Sequence, residues 1–106
     1  MRIELLVVPD CPHEAVAAEL LTAALEDVGL GPVGFTITVI DTKADADRRH
    51  FVGSPTFSVD GQDLFSEAGR DAAVACRIYP GPGGLPQLRD VRQALKRAAA
   101  VSAVHQ

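Results

Sequence analysis

The chain has 106 residues, a formal net charge of −4 and 47% hydrophobic residues. This length corresponds to one domain, 1–106, and is sufficient to bury a core without a disulfide or a metal. The ten lysines and arginines are scattered along the sequence, which argues against nucleic acid as a partner because phosphate binding requires a concentrated basic face. The same scatter argues against binding to an anionic membrane.

The first apolar run, residues 3–8, is too short for a signal-peptide core or a membrane span, and Glu4 interrupts it. We therefore expect a cytoplasmic protein whose two cysteines, Cys11 and Cys76, are reduced at rest. The cysteines lie far apart in sequence and the three histidines do not have ligand spacing, so we expect no metal site and no cofactor. The sequence leaves the oligomeric state open.

The first half of the chain predicts a strand–helix–strand unit. Residues 3–8 are typical of a strand covered on both faces. Residues 12–30 carry apolar side chains at helical spacing, and Gly29 and Gly31 end that helix. Residues 34–40 alternate and are rich in β-branched side chains, which predicts a second strand. A right-handed crossover would make the two strands parallel.

A short helix and a β-hairpin are predicted next. Residues 42–50 are polar and favour a short helix or a helical turn. Residues 56–59 and 62–65 flank Asp60-Gly61, a dipeptide that suits a type I′ turn because both positions tolerate positive φ.

The remainder of the chain predicts a long loop and a final helix. Residues 66–86 have no periodicity and are rich in glycine and proline, as in functional loops. From the predicted topology, this loop leaves the sheet on the same side as Cys11. The final helix is expected to start near Pro86, with an apolar stripe that includes Leu88 and Val101, and residues 102–106 are expected to fray.

Two short motifs, CPHE at 11–14 and GSPTF at 53–57, occur in this order of elements. Together they resemble the thioredoxin/glutaredoxin family, in which a reactive cysteine begins the first core helix and a cis proline faces it. The resemblance covers roughly residues 2–65 and the last helix. It implies an α/β, thioredoxin-like fold with a four-stranded mixed sheet in the order 2-1-3-4 and helices on both faces. It also implies a cis Ser54–Pro55 bond beside Cys11.

The chain also looks similar to a bacterial group of small thioredoxin-like proteins that is sometimes labelled as related to alkylmercury lyase. No mercury chemistry follows from that label. The sequence departs from the thioredoxin pattern at Glu14, which stands where the second cysteine of C-x-x-C would be. A local disulfide cycle is therefore impossible, and single-cysteine members of the superfamily either use a mixed disulfide with glutathione or have lost redox chemistry.

Cys11 is the main candidate for a reactive group. If Pro12 is the first helical residue, Cys11 is the N-cap, and backbone N–H groups with the helix dipole would stabilise its thiolate. A protonated His13 would assist, whereas Asp10 and Glu14 would oppose this effect. The alternative is structural, because Glu14 at the third helical position would form one half of a capping box.

Five further residues complete the candidate site. The resemblance implies that the backbone around Ser54, Pro55 and Thr56 pairs with an extended thiol substrate. The alternative for Pro55 is an ordinary trans proline at the start of a strand. Arg77 could bind a glutathione carboxylate or lie on the surface. Cys76 could be a resolving thiol, a second soft metal ligand or a small buried hydrophobe shielded by its apolar neighbours.

Three functions remain open from the sequence. The first is a thiol–disulfide or glutathione-type oxidoreductase that uses Cys11, with a protein thiol or glutathione as its partner. The second is a non-catalytic thioredoxin-fold module that binds a protein or peptide through the Pro55 edge and the 66–86 loop. The third is binding of a soft metal or an organomercurial by Cys11 and Cys76.

Overall fold

The computed structural model describes residues 1–67 and 69–104, with side chains up to residue 101. The secondary-structure elements of this part of the chain are the strands β1 (Ile3–Val7), β2 (Thr36–Val39), β3 (Thr56–Val59) and β4 (Gln62–Asp63), and the helices α1 (Glu14–Asp27), α2 (Lys43–Arg49) and α3 (Leu88–Val104). Short 3₁₀ turns occupy Gly31–Val33 and Pro82–Gly84. No helix within the described ranges is long and apolar enough to cross a membrane.

The four strands form one mixed sheet in the order β2-β1-β3-β4, which confirms the predicted order. β1 is parallel to β2 and antiparallel to β3, and β3 and β4 form the hairpin. In the register of the sheet, Leu5 lies between Ile37 and Phe57. All five residues of β1 are buried, as expected for a central strand with helices above and below it.

The two faces of the sheet carry different cores. Alternate side chains of a strand point to opposite faces, so Leu5 and Val7 pack on the side of α1 and α3, where the main core lies. Leu6 points to the other face and packs with Ile40, Ala46 and Phe51 on or beside α2. The helices therefore cover both faces, but α2 has only seven residues and covers its face incompletely.

The predicted strands extend beyond the observed ones, by one residue at the ends of β1 and β2 and by two residues at the start of β2 and the end of β4. β2 begins at Thr36 rather than at residue 34, because Gly34 has a positive φ of 69° that breaks the extended chain. β4 ends at Asp63 rather than at residue 65. There the Asp63 carboxylate accepts the Phe65 N–H at 2.8 Å and turns the chain away from the strand direction.

The final helix also differs from its prediction. α3 begins at Leu88 rather than near Pro86, and it continues to Val104. Residues 102–104, expected to be frayed, are helical, and residues 105–106 lie outside the described part. Val101, assigned to the apolar stripe, is 57% exposed and does not contribute to the core.

Candidate functional site

Cys11 lies in the connection between β1 and α1. Asp10, with a φ of 56°, turns the chain at the end of the strand. The Glu14 N–H donates to the Cys11 carbonyl at 3.2 Å and closes a turn over Pro12 and His13. The helix starts only after this turn, so the N-cap is His13 rather than Cys11, and Glu14 is the first helical residue.

This later helix start corrects the predicted chemistry of Cys11. Glu14 cannot form the capping box, which requires a glutamate at the third helical position. Within the described chain, no backbone N–H donates a hydrogen bond to Cys11 Sγ. The sulfur is instead 9% exposed in the main core and contacts a hydroxyl. The expected stabilisation by the helix N-terminus is therefore replaced by a side-chain hydrogen bond.

That hydroxyl belongs to Ser54, which is completely buried. Ser54 Oγ accepts the Val8 N–H at 3.1 Å and lies 3.0 Å from Cys11 Sγ. Because Oγ accepts the backbone N–H through a lone pair, its hydroxyl proton can be donated to the sulfur. Through Ser54 Oγ, the residue before β3 therefore contacts both the end of β1 and the turn that contains Cys11.

The Ser54–Pro55 peptide bond is cis, and Pro55 is buried. The backbone of Ser54 is not open to an external chain, because a segment of the 66–86 loop lies against it. The Ser54 N–H donates to the Ala75 carbonyl at 2.8 Å, and the Ser54 carbonyl accepts the Arg77 N–H at 2.9 Å. This parallel bridge pairs Ser54 with Cys76. We call residues 73–79 the bridging segment.

Gly53 permits the close approach of the bridging segment. A Cβ at this position would lie 2.7 Å from Arg77 Cβ, and the φ of Gly53 is +151°. Both the space and the backbone conformation therefore require glycine. The glycine of GSPTF thus allows the loop to lie directly against the residue that contacts Cys11.

Cys76 is exposed and its thiol is free, as is that of Cys11. The prediction that apolar neighbours would shield Cys76 was wrong. Val74 and Ile78 are themselves exposed, Ile78 at 81%, because in this irregular segment Arg77 and Tyr79 are the side chains that turn inward. Cys11 and Cys76 are thus both neighbours of Ser54, one through its side chain and one through its backbone.

Arg77 is not positioned as a surface residue. Its side chain is buried, and its guanidinium donates to the Asp63 carboxylate at 2.7 Å, lies 3.5 Å from Glu67, and also donates to the Phe65 carbonyl. The same group lies over the Tyr79 ring, 4.6 Å from its centroid. These partners hold Arg77 as a structural anchor of the bridging segment, so it does not offer its charge to a glutathione carboxylate.

Tyr79 anchors the other end of the segment. Its hydroxyl donates to the Pro55 carbonyl at 2.6 Å. Burial raises the pKa of Tyr79 above its usual range, even though the Arg77 charge opposes this effect, so the phenol remains protonated and keeps its donor. Sequence reasoning did not identify this residue. The available signal was that the only tyrosine of the chain follows an arginine in an otherwise apolar stretch.

The Thr56 side chain completes the surroundings of Pro55. Its hydroxyl donates to the Gly53 carbonyl at 2.6 Å, which closes the tight turn before β3. Thr56 is 3% exposed and pairs with Leu6 of β1. Its backbone is therefore committed to the sheet and does not offer the edge that the resemblance assigned to a substrate.

No family model matches this sequence, and comparison with curated proteins and with solved structures finds no match either. The arguments for a function therefore rest on the geometry of the site. In residues 1–67 and 69–104, no group of three or more histidine, cysteine or acidic side chains is arranged to hold a metal ion.

Proposed function

We propose that this chain is a thioredoxin-like thiol–disulfide exchange protein in which Cys11 and Cys76 form the redox pair. The observation that carries the proposal is the double contact of Ser54, whose hydroxyl lies 3.0 Å from Cys11 Sγ while its backbone is bridged to Cys76. Adjacent strands are about 4.8 Å apart. Ser54 thus lies one such spacing from Cys76 and contacts Cys11 on its other side, and a disulfide, which requires Cα atoms within about 7 Å, forms when the bridging segment moves toward Cys11.

The proposed exchange uses an external disulfide, RS–SR′. One cysteine thiolate attacks it, forms a mixed disulfide with the RS group and releases R′S⁻, which takes up a proton. The second cysteine, as a thiolate, then attacks the protein sulfur of the mixed disulfide, and RS⁻ leaves. The product is a Cys11–Cys76 disulfide, and the substrate has gained two electrons and two protons. An external dithiol, or two equivalents of glutathione, reverses the process.

The two cysteines are suited to different parts of this exchange. Cys76 is exposed, so a large substrate reaches it without opening the fold. Cys11 receives the Ser54 hydrogen bond, and a hydrogen bond donated to a thiolate stabilises the charged form. Glu14, at the first position of α1, is a carboxylate rather than a local thiol partner, so the intramolecular partner in this proposal is the distant Cys76.

Oxidation of the purified protein tests the proposal. We expect one equivalent of diamide to remove two thiols per chain and to form an intramolecular disulfide between Cys11 and Cys76, identified by peptide mass spectrometry. Cys11→Ser and Cys76→Ser are the matched variants, and each should retain one thiol and form no intramolecular bond. A wild-type protein that forms only intermolecular disulfides, or none, would favour the alternative of a non-catalytic binding module.

A further inference from the structure

A polar cavity of about 460 Å³ lies on the face of the sheet that α2 covers incompletely. Its floor is formed by Leu6, Thr56 and Ser58, and its walls come from the end of α2 and from the chain after β4. Neither cysteine lines it. Since Cys11 packs in the core of the opposite face, this cavity is separate from the proposed thiol site.

Ser58 offers the cavity a hydroxyl without a hydrogen-bond partner among the described residues. The residue is 3% exposed and lines the cavity, and no hydrogen bond of its side chain to any described residue is present. Thr56, two positions earlier on the same face, satisfies its own hydroxyl with the Gly53 carbonyl. The Ser58 side chain is therefore available for a hydrogen bond to a molecule in the cavity.

Two arginines in the walls have spare donors. Arg49 donates to Glu4 at 2.8 Å, and Arg70 donates to Glu67 at 2.5 Å. A guanidinium has five N–H donors in a fixed fork. Each of these arginines uses one nitrogen on a carboxylate, and no other hydrogen bond to a described residue engages either guanidinium. Both therefore retain several donors where they line the cavity.

The carboxylates around the cavity are, in contrast, already occupied. Glu4 accepts from Thr38 as well as from Arg49. Asp63 accepts the Phe65 N–H with one oxygen and Arg77 with the other. The cavity thus presents guanidinium N–H donors that have no partner beside carboxylates that already have one, and an acceptor-rich ligand fits those donors.

The charged residues that line the cavity are balanced, Arg49 and Arg70 against Asp63 and Glu67. Each of the two arginines is held in place by an ion pair with a carboxylate. No phenylalanine, tyrosine or tryptophan lines the cavity among the described residues, and His50 is the aromatic side chain in its lining.

We propose that this cavity binds the oxyanion group, a carboxylate or a phosphate, of a small metabolite. Arg49 and Arg70 contact the anion from different walls, and Ser58 Oγ donates to it from the floor. Arginine forks match the geometry of both oxyanions. The volume exceeds that of a free phosphate ion and leaves room for the remainder of a small molecule. This site is independent of the redox proposal.

Titration of the full chain by ¹⁵N–¹H NMR in a buffer free of phosphate and carboxylate tests the site. Inorganic phosphate and acetate are the two probes, with chloride at equal ionic strength as the reference. We expect saturable shifts of the Ser58, Arg49 and Arg70 amides with at least one probe. The probe that binds more tightly identifies the oxyanion.

Two variants and a control complete the test. Ser58→Ala and Arg70→Gln should each weaken binding about tenfold, because each loses a hydrogen bond to a charged group. Arg48→Gln should bind as the wild type does, because Arg48 lies beside Arg49 on α2 but is 72% exposed and pairs with Asp45. If Ser58→Ala does not fold, the affinity of Arg70→Gln for the probe decides whether the site exists. Shifts that do not saturate, or equal weakening in Arg48→Gln, would overturn the proposal.

Discussion

The hydroxyl of Ser54 has a defined orientation because a backbone donor fixes it. The Val8 N–H at the end of β1 donates to Oγ, and the proton of the hydroxyl faces Cys11. Chains of hydrogen bonds strengthen one another in a low-dielectric interior, and Ser54 is completely buried. A single side chain therefore sets the environment of the Cys11 sulfur, which receives no backbone donor from the described residues.

Ser54→Ala should slow the reaction of Cys11. In a Cys76→Ser background, we expect the rate of alkylation by iodoacetamide at neutral pH to fall about fivefold, as the loss of one hydrogen bond to the thiolate implies. The rate is measured by mass spectrometry over time. Ser58→Ala is the matched control, since Ser58 is also a buried serine of this region but does not contact Cys11, and it should react at the parent rate. Equal rates in all three proteins would remove the role assigned to Ser54.

At the scale of elements, the contact between the bridging segment and the turn before β3 depends on Gly53. The segment is held by backbone hydrogen bonds to Ser54 and Phe51 and by the Tyr79 hydroxyl on Pro55. Arg77 lies so close to Gly53 that a side chain there would overlap with it. The position of Cys76 relative to Cys11 therefore depends on the absence of a side chain at Gly53.

Gly53→Ala should destabilise the protein more than Gly61→Ala. Gly61 has a φ of +82° with nothing within 4 Å of an added Cβ, so its substitution costs only the backbone strain of about 1–2 kcal/mol. Gly53→Ala adds a steric clash to the strain and should cost about 1–3 kcal/mol more. Urea unfolding of both variants measures the difference. If Gly53→Ala lowers the free energy of unfolding less than Gly61→Ala does, the bridging segment moves away from residue 53 without an energetic cost.

The regular elements could be predicted from the sequence, because their signals are local. The alternation of β2, the helical spacing of α1 and the Asp60-Gly61 turn predicted elements that the structure contains. The crossover rule predicted the parallel pairing of β1 and β2, and the resemblance implied the strand order. Asp60 and Gly61 both have positive φ, as the predicted turn requires. Such patterns reflect which face of an element is buried, and neighbouring residues are enough to reveal it.

The contacts of the site could not be predicted in this way. Arg77 is buried because Asp63 and Glu67, 14 and 10 positions earlier, neutralise it, and no local pattern reports such a partner. The exposure of Cys76 follows from the inward direction of Arg77 and Tyr79 in an irregular segment without periodicity. The start of α1 was predicted two residues too early, because Pro12 fits a first helical position as well as a preceding turn.

For the molecule as a whole, the Glu4 ion pair joins the centre of the sheet to α2. Glu4 is 5% exposed on β1, and Arg49 at the end of α2 donates to it at 2.8 Å. Burial raises the pKa of Glu4, but hydrogen bonds from Arg49 and Thr38 outweigh it, and the pKa lies below its ordinary value of 4.5. The ionised carboxylate therefore stabilises the fold at neutral pH.

Acid should remove this stabilisation. Because the pKa is lower in the folded state, the contribution is complete above about pH 4.5 and decreases as the pH falls through the folded pKa. We expect Glu4→Gln to lower the free energy of unfolding by about 1–3 kcal/mol at pH 7 and the gap to the wild type to narrow below pH 4.5. Urea unfolding from about pH 7 down to about pH 3, a range that includes the ordinary glutamate pKa, measures this difference in unfolding free energy. Glu19→Gln, at an exposed position of α1, is the control. A gap that stays constant with pH would contradict this role.

The central place of β1 has a consequence for the order in which the newly made protein can fold. β1 pairs with β2 about 30 residues later and with β3 more than 50 residues later. Until β3 has been synthesised, one edge of β1 has no strand beside it, and the apolar side chains of that strand lack part of their cover. Unpaired edges of this kind favour association between chains. Completion of the hairpin is thus the step after which the growing chain is protected from aggregation.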